Sequence, residues 1–300
     1  MTLYELFGTI EIGLIFGIVA LGAFLSFQIL DFPDLTVEGS FPLGAAVAVV
    51  MILNFGWNPW PATAVAALAG FGAGLVTAFL NVRYGILHIL AGILVSIALY
   101  SINLRIMGGP NKSLIGSPSV FDAFHGFGLP TYIVNPIFLA VVAVLLMIAL
   151  DLFLVTGIGL GMRAAGANPA MAAANGIDVG RMRLIGIGLA NALTALAGAL
   201  FAQLFGAADA YMGIGVVIIG LASVIVGMAI FPARTIVQAT IACLGGALLY
   251  RFAVAFALNA DFLGLQASDV QVVTALLVAL TLMGRSRNWI GHLFARRATP

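Results

Sequence analysis

The sequence predicts an all-α, polytopic integral membrane protein, and three observations carry that prediction. Apolar residues make up 63% of the 300 residues and charged residues 8%, with a mean hydropathy of +1.18. A soluble domain carries about a quarter charged residues. The apolar residues fall in long runs separated by short polar segments, and a helix needs roughly 20 such residues to cross a bilayer. The length therefore allows about 8–10 transmembrane helices and leaves no room for a separate soluble domain, so residues 1–300 are expected to form one transmembrane domain. The net charge of +1 comes from dispersed basic residues, a pattern without a nucleic-acid patch. The single cysteine, Cys243, sits in an apolar run and excludes disulfides and thiolate metal sites. No basic region precedes the first apolar run, so a cleaved signal peptide is not expected.

In chain order, residues 10–30 form the first expected span. The segment Asp31-Phe-Pro-Asp-Leu-Thr-Val-Glu-Gly-Ser-Phe-Pro42 follows, with three acids, two prolines and a glycine that interrupt a helix. The next apolar run, 43–53, is too short to cross a membrane unaided. Trp57 and Trp60 mark an interface, where tryptophan sits at headgroup level. Residues 61–80 form a span with the small-residue row Ala66, Gly70, Gly74, suited to close helix packing. Arg83 ends it, and 86–106 form the next span, with His88 and Asn103 as polar marks. Residues 108–132 read as the longest loop. Further spans are expected at 133–156, 184–205, 214–231 and 236–258, with Asp151, Asn191 and Gln203 as their polar marks. Asp209 and Tyr211 fall in a short turn. A loop at 259–269, a last apolar run at 270–283 and a basic tail from Arg285 complete the chain.

Between the spans 133–156 and 184–205 lies the longest stretch of small and polar residues, Arg163-Ala-Ala-Gly-Ala-Asn-Pro-Ala-Met-Ala-Ala-Ala-Asn-Gly-Ile-Asp-Val-Gly-Arg-Met-Arg183. Asn168 suits a helix N-cap, and Pro169 suits the first helical position. The alanine-rich run after it propagates a helix, and Asn175-Gly176 offers a stop. The segment predicts a helix of about two turns held between spans.

The arginines set the orientation. Arg83, Arg163, Arg181, Arg183, Arg234, Arg285, Arg287, Arg296 and Arg297 collect on one side, against Arg105, Lys112 and Arg251 on the other. Nine against three places the 163–183 loop and the C-terminus in the cytoplasm under the positive-inside rule. The side of the N-terminus depends on segment 31–42. A full cytoplasmic loop there starts the chain outside, and a break within re-entrant half-helices starts it inside.

The run Gly166-Ala-Asn-Pro-Ala-Met-Ala-Ala-Ala-Asn-Gly-Ile-Asp-Val-Gly180, followed by Ala195-Leu-Ala-Gly-Ala-Leu-Phe-Ala-Gln203, resembles the coupling loop and next helix of bacterial ABC-importer permeases for branched-chain amino acids, ribose and related solutes. The stretch Asp34-Leu-Thr-Val-Glu-Gly-Ser-Phe-Pro-Leu-Gly44 is similar to that family's short acidic motif. With Ala91-Gly-Ile93 and Ser101-Ile-Asn-Leu-Arg-Ile-Met-Gly-Gly-Pro-Asn111, it matches a narrower subgroup described as tryptophan or tyrosine transport permeases. The resemblance covers nearly the whole chain.

It implies a permease of the bacterial inner membrane whose coupling loop 163–183 docks a short helix into a groove on cytoplasmic ABC ATPase subunits. Arg163, Gly166, Asn168, Pro169, Ala172, Ala173, Asn175 and Gly176 would form that docking surface. It further implies a second permease copy, as a homodimer around a central path, and an extracytoplasmic solute-binding protein. The solute would be an amino acid, aromatic ones favoured, moved by alternating access. The same machine for branched-chain amino acids, a sugar, a nucleoside or a vitamin is the alternative reading, and a secondary transporter without an ATPase is another. The chain has no Walker A sequence, no metal-ligand spacing and no Ser-His-Asp set, so it is expected to be no enzyme and to hold no cofactor, ATP being bound by the partner subunit.

Candidates for the translocation path are Asp34, Glu38, Ser40, Asn191, Gln203, Asp209 and Tyr211. Charges within a membrane are costly and usually face a cavity, and broken helices mark binding sites in transporters. For Asp34 and Glu38 the other reading is a solvated loop or a helix-capping pair. Gln203, Asp209 and Tyr211 would lie at the outer mouth or satisfy backbone groups at the turn. His88 reads as a packed or interfacial histidine. Arg251 either snorkels or pairs with Asp209 or Asp261, and Asp151 pairs with a neighbouring helix.

Overall fold

The computed structural model describes residues 3–123, 130–231 and 233–258, with a few helical positions between 272 and 279. The expected last apolar run, the loop before it and the basic tail lie outside the described residues. Ten α-helices follow one another: α1 (Leu3–Ala23), α2 (Val37–Phe55), α3 (Pro59–Tyr84), α4 (His88–Met107), α5 (Thr131–Val155), α6 (Gly157–Ala167), α7 (Pro169–Ala174), α8 (Val179–Phe205), α9 (Val216–Ile230) and α10 (Ile236–Leu258). A π-helical turn, Phe24–Ile29, continues α1 without a gap. Seven of the described helices are long and apolar enough to cross a membrane, and α9 is a shorter apolar one. The chain is thus an all-α polytopic membrane protein, as its composition predicts.

Two short strands, β1 (Asn111–Ser113) and β2 (Ala207–Asp209), pair antiparallel with Asn111 opposite Asp209. They tie the 108–130 loop to the end of α8. Sequence periodicity does not foretell such a three-residue ladder.

Local signals set most helix ends. Asn58 caps α3 by accepting from the Trp60 N–H at 3.1 Å, with Pro59 at the first helical position. Gly85, at φ 69°, closes α3 in the left-handed conformation. That residue type avoids the Cβ clash which a reversal of only 85–87 would otherwise impose.

α8 is the central mast. α3, α2 and α1 pack around it, and small residues set the spacing. A Cβ at Gly44 would fall on the Ala195 carbonyl, one at Gly74 on the Ile187 carbonyl, and one at Gly198 on the Phe41 carbonyl. The row Ala66, Gly70, Gly74 faces α8, as its spacing predicts. Between transmembrane helices, close backbone approach replaces the hydrophobic drive that water supplies elsewhere.

The segment 31–42 behaves differently from its sequence. The non-helical stretch is confined to 30–36, and α2 begins at Val37, runs through Pro42 and reaches Phe55, 19 residues in all. The run 43–53 is therefore the body of a complete span. Pro42 has no N–H for the Glu38 carbonyl one turn earlier. Gly213 closes over that carbonyl from the segment before α9, so close that a Cβ there would overlap it.

The first span is also complete. α1 runs antiparallel to α10, with Gly13 against Leu248 and Gly17 against Leu244. Its first residues thus lie at the opposite end of the bundle from Ile29, whose carbonyl is covered by Gly166. Of the two expected arrangements for 31–42, the structure holds the one in which the chain starts at the end away from α7. Arg83, Arg163, Arg181, Arg183 and Arg234 gather at the α6–α7 end, and Arg105, Lys112 and Arg251 lie toward the other.

Candidate functional site

The small-residue stretch after α5 forms two helices. Thr156 caps α6, accepting from the Gly159 N–H at 3.3 Å, and Arg163 lies exposed on that helix. α7 is the expected short helix, six residues long. Asn168 caps it by accepting from the Met171 N–H at 3.0 Å, Pro169 takes the first helical position, and the Asn175 side chain donates to the Met171 carbonyl at 2.8 Å. Gly176 then turns the chain at φ 81°, and Asp178 caps α8 through the Arg181 N–H at 3.0 Å.

The residues named for docking do not all face outward. Asn168, Pro169, Ala173, Asn175 and Gly176 are exposed, as is Met171 at 65%. Ala172 is 3% exposed and anchors α7 to the bundle. Gly166 packs against the backbone of Ile29 and Leu30, where any side chain would collide. Gly166 and Ala172 therefore seat the 163–183 segment on the bundle, in place of the outward-facing position expected of them. Spacing alone did not separate the two faces, because alanine and glycine carry no amphipathic signal.

Beside this seat a cleft of about 530 Å³ opens between the π-helical turn and α6. Gln28, Asp31, Arg163 and Ala167 line it. Asp31 sits at φ 50°, a strained backbone for a residue other than glycine.

From Asp31 the chain rises into the bundle and places Asp34 with no exposed surface. One carboxylate oxygen accepts from the Thr36 N–H at 2.8 Å, and the other accepts from Asn191 Nδ2 at 2.6 Å. Asn191 Oδ1 accepts from the Ser40 hydroxyl at 2.7 Å, and its Nδ2 also donates to the Ile187 carbonyl at 2.9 Å. The Thr36 and Thr77 hydroxyls share a bond at 2.7 Å, which brings α3 into the network. Gly92 of α4 lies against Asp34 and Leu35, leaving room for nothing larger. Asp34 and Ser40 thus meet Asn191, 157 and 151 residues further along the chain, in one enclosed polar knot. Its partners are uncharged, and burial without them would be costly.

Glu38 faces elsewhere. It is half-buried, and Oε1 accepts from the Gly215 N–H at 3.2 Å, at the start of α9. A carboxylate there meets unpaired backbone donors and the positive end of the helix. The capping reading of this acid is the one the geometry realises.

The remaining candidates lie toward the far end. Gln203 Nε2 donates to Thr63 Oγ1 at 2.8 Å while Oε1 accepts from the Val120 N–H at 3.1 Å, clasping the 108–130 loop onto the bundle. Asp209 caps its own turn through the Tyr211 N–H at 2.7 Å. Tyr211 is exposed and its hydroxyl accepts from the Tyr100 hydroxyl at 2.7 Å. Asp209 is thus engaged at its turn rather than with Arg251. Asp151 does meet a neighbouring helix, since the Thr240 hydroxyl of α10 donates to it at 2.9 Å. His88 packs on Phe32 with ring centroids 4.2 Å apart, the packed role expected of it.

Sequence reasoning passed over Thr36 and Thr77, although Thr77 lies three residues beyond Gly74, on a neighbouring position of the same helix face. It also passed over Glu11 in α1, an acid inside an apolar run.

Comparison with known proteins supplies the remaining context. The family model described as branched-chain amino acid transport system, permease component, matches residues 6–284. A tyrosine transport system permease protein of Clostridioides difficile (strain R20291) is 39% identical over 266 residues, covering 88% of this chain and 86% of that protein. An uncharacterized protein of Rickettsia prowazekii (strain Madrid E) is 31% identical over 277 residues, covering 89% and 92% respectively. Among solved structures, PsaBC from Streptococcus pneumoniae in complex with Fab holds a chain with a TM-score of 0.52 at 13% identity, covering 94% of this chain and 91% of that one. At that identity the likeness is one of fold.

Proposed function

This chain belongs to the branched-chain amino acid transport permease family, and from that premise we propose that it is the membrane-spanning subunit of an ATP-binding-cassette importer for amino acids, aromatic ones favoured. It is a transport subunit rather than an enzyme. The observation that carries the proposal is α7, a capped six-residue helix exposed between two spans with Met171 and Ala173 presented outward. A loop with no partner has no need of a rigid, twice-capped helix at its tip. The 39% identical tyrosine transport permease supports the preference for aromatic amino acids.

In this reading cytoplasmic ABC ATPase subunits bind ATP and seat α7 of each of two permease copies in a groove. An extracytoplasmic solute-binding protein delivers solute at the β1–β2 end. The arginines at the α6–α7 end support a cytoplasmic placement of that end, and the basic residues from Arg285 onward support the same side for the C-terminus. Motion of α7 would pass to α6, then through Gly166 to the Ile29 backbone and the π-helical turn, and on to the 30–36 segment. π-helical turns are rare and recur at functional sites. The Asp34–Asn191–Ser40 knot would hold the two sides of the path in one arrangement at a time. Glu38, Asp209 and Tyr211 would tune the path's field, affinity being supplied by the binding protein.

The test is co-expression with a candidate ATPase subunit, followed by purification through a tag on the permease and uptake assay in vesicles. Co-purification and ATP-dependent uptake of tyrosine or tryptophan are expected. Uptake that proceeds in vesicles lacking the ATPase subunit would overturn the reading in favour of a secondary transporter.

A further inference from the structure

At the end of the bundle away from α7, the first turns of α1, the first turn of α5 and the last turn of α8 enclose a pocket of about 350 Å³. That volume lies within the range of small-molecule sites. Tyr4, Glu11, Tyr132, Asn135 and Phe205 supply its functional groups. Tyr132 is the centre of an aromatic group, with ring centroids 6.4 Å from Tyr4 and 5.7 Å from Phe7.

Two groups in this pocket lack partners. Glu11 is half-buried within a membrane span, and among the described residues no donor or cation engages its carboxylate. The side-chain Oδ1 of Asn135 accepts no hydrogen bond although it is shut off from solvent. An intramembrane acid is expensive to keep and ordinarily marks a site. Every other buried acid described above is hydrogen-bonded, so Glu11 stands apart from Asp34 and Asp151.

We propose that this pocket binds a primary ammonium group attached to an apolar or aromatic body. Glu11 takes the charge, and the rings of Tyr4, Tyr132 and Phe205 surround the cation and its body. A cation held against aromatic faces gains more as it is desolvated. Among the described residues the lining contains no lysine or arginine, so the carboxylate of a zwitterionic amino acid would lie against Glu11 uncompensated. The pocket thus prefers an amine such as tyramine to tyrosine itself. The same R–NH3+ chemistry is offered by a free amine from the aqueous side and by the ethanolamine headgroup of a neighbouring lipid. The assignment needs only the fold, so its failure would leave the coupling role of α7 untouched.

The experiment uses the full-length permease in nanodiscs of phosphatidylglycerol alone or with added phosphatidylethanolamine, and measures equilibrium binding of radiolabelled tyramine. In phosphatidylglycerol discs, tyramine should bind saturably, phenethylamine should compete, and N-acetyltyramine should not. Glu11→Gln should weaken tyramine at least about tenfold, as loss of the paired charge implies, while Glu11→Asp stays within a few-fold of the parent. Tyr132→Leu provides an independent weakening should the glutamine variant fail to elute as a monodisperse species. If the lipid is the natural source, phosphatidylethanolamine should co-isolate with the parent and not with Glu11→Gln by native mass spectrometry, and should displace tyramine. Equal tyramine binding in parent and folded variants, or no binding together with no enrichment of the lipid, overturns the proposal.

Discussion

Asn191 donates to Asp34 at 2.6 Å while accepting from Ser40 at 2.7 Å, so one amide on α8 joins the break after the first span to the second turn of α2. These two bonds register two neighbouring elements against a helix residue that lies 157 and 151 residues further along the chain.

Replacing Asn191 with Leu removes both bonds and leaves one oxygen of the Asp34 carboxylate and the Ser40 hydroxyl without partners. Each stranded buried group costs on the order of 1–3 kcal/mol, more where it is charged. The variant should melt well below the parent in detergent by thermal fluorescence. Ser40→Ala removes one neutral bond and should cost about 1 kcal/mol. Equal melting of all three proteins would show that the knot contributes nothing to stability.

The two faces of α7 and its approach should separate in function. Gly166→Leu drives a side chain into the Ile29 backbone, beyond the roughly 1–3 kcal/mol of ordinary overpacking. It should abolish monodisperse protein on size exclusion. Ala173→Glu lies on the exposed face and should leave folding intact while removing stimulation of the ATPase subunit. Normal stimulation by Ala173→Glu would deny α7 its docking role.

Labelling with impermeant maleimides should place the two ends of the bundle. The native Cys243 is fully buried and should remain silent in intact membranes. A cysteine at Asn175 should react only from the cytoplasm, and one at Ser117 only from outside. Reaction of both from one side would contradict the alternation of α5 between them.

Glu38→Gln keeps an oxygen for the Gly215 N–H but removes the charge. Expression and assembly should match the parent, while ATP-driven uptake in reconstituted vesicles slows several-fold. Uptake at the parental rate would leave Glu38 as a cap for α9 and nothing more.

Much of this molecule was legible before any coordinates. Composition and apolar runs dictated a helical membrane protein, since a chain in hydrocarbon must satisfy its backbone internally. The Asn168-Pro169 start and the Asn175-Gly176 stop of α7 follow from local chemistry that neighbours do not override. The row Ala66, Gly70, Gly74 announced a close helix contact, and Arg83, Arg163, Arg181, Arg183 and Arg234 gather at one end as their positions suggested.

The tertiary structure alone decided which partner each polar group found. Pro42 and the acids around it read as an interruption, yet α2 passes through them, with Gly213 packed over the carbonyl that Pro42 cannot serve. Gly166 and Ala172 read as part of a docking surface, yet they face inward and seat the 163–183 segment on the bundle. Whether a small residue faces inward or outward depends on what packs against it, and its own chemistry carries no preference. The pairing of Asp34 with Asn191, like the isolation of Glu11, is a matter of which helix lies beside which. That arrangement is set by the sum of many backbone contacts across the bundle, and no local stretch of the sequence contains it.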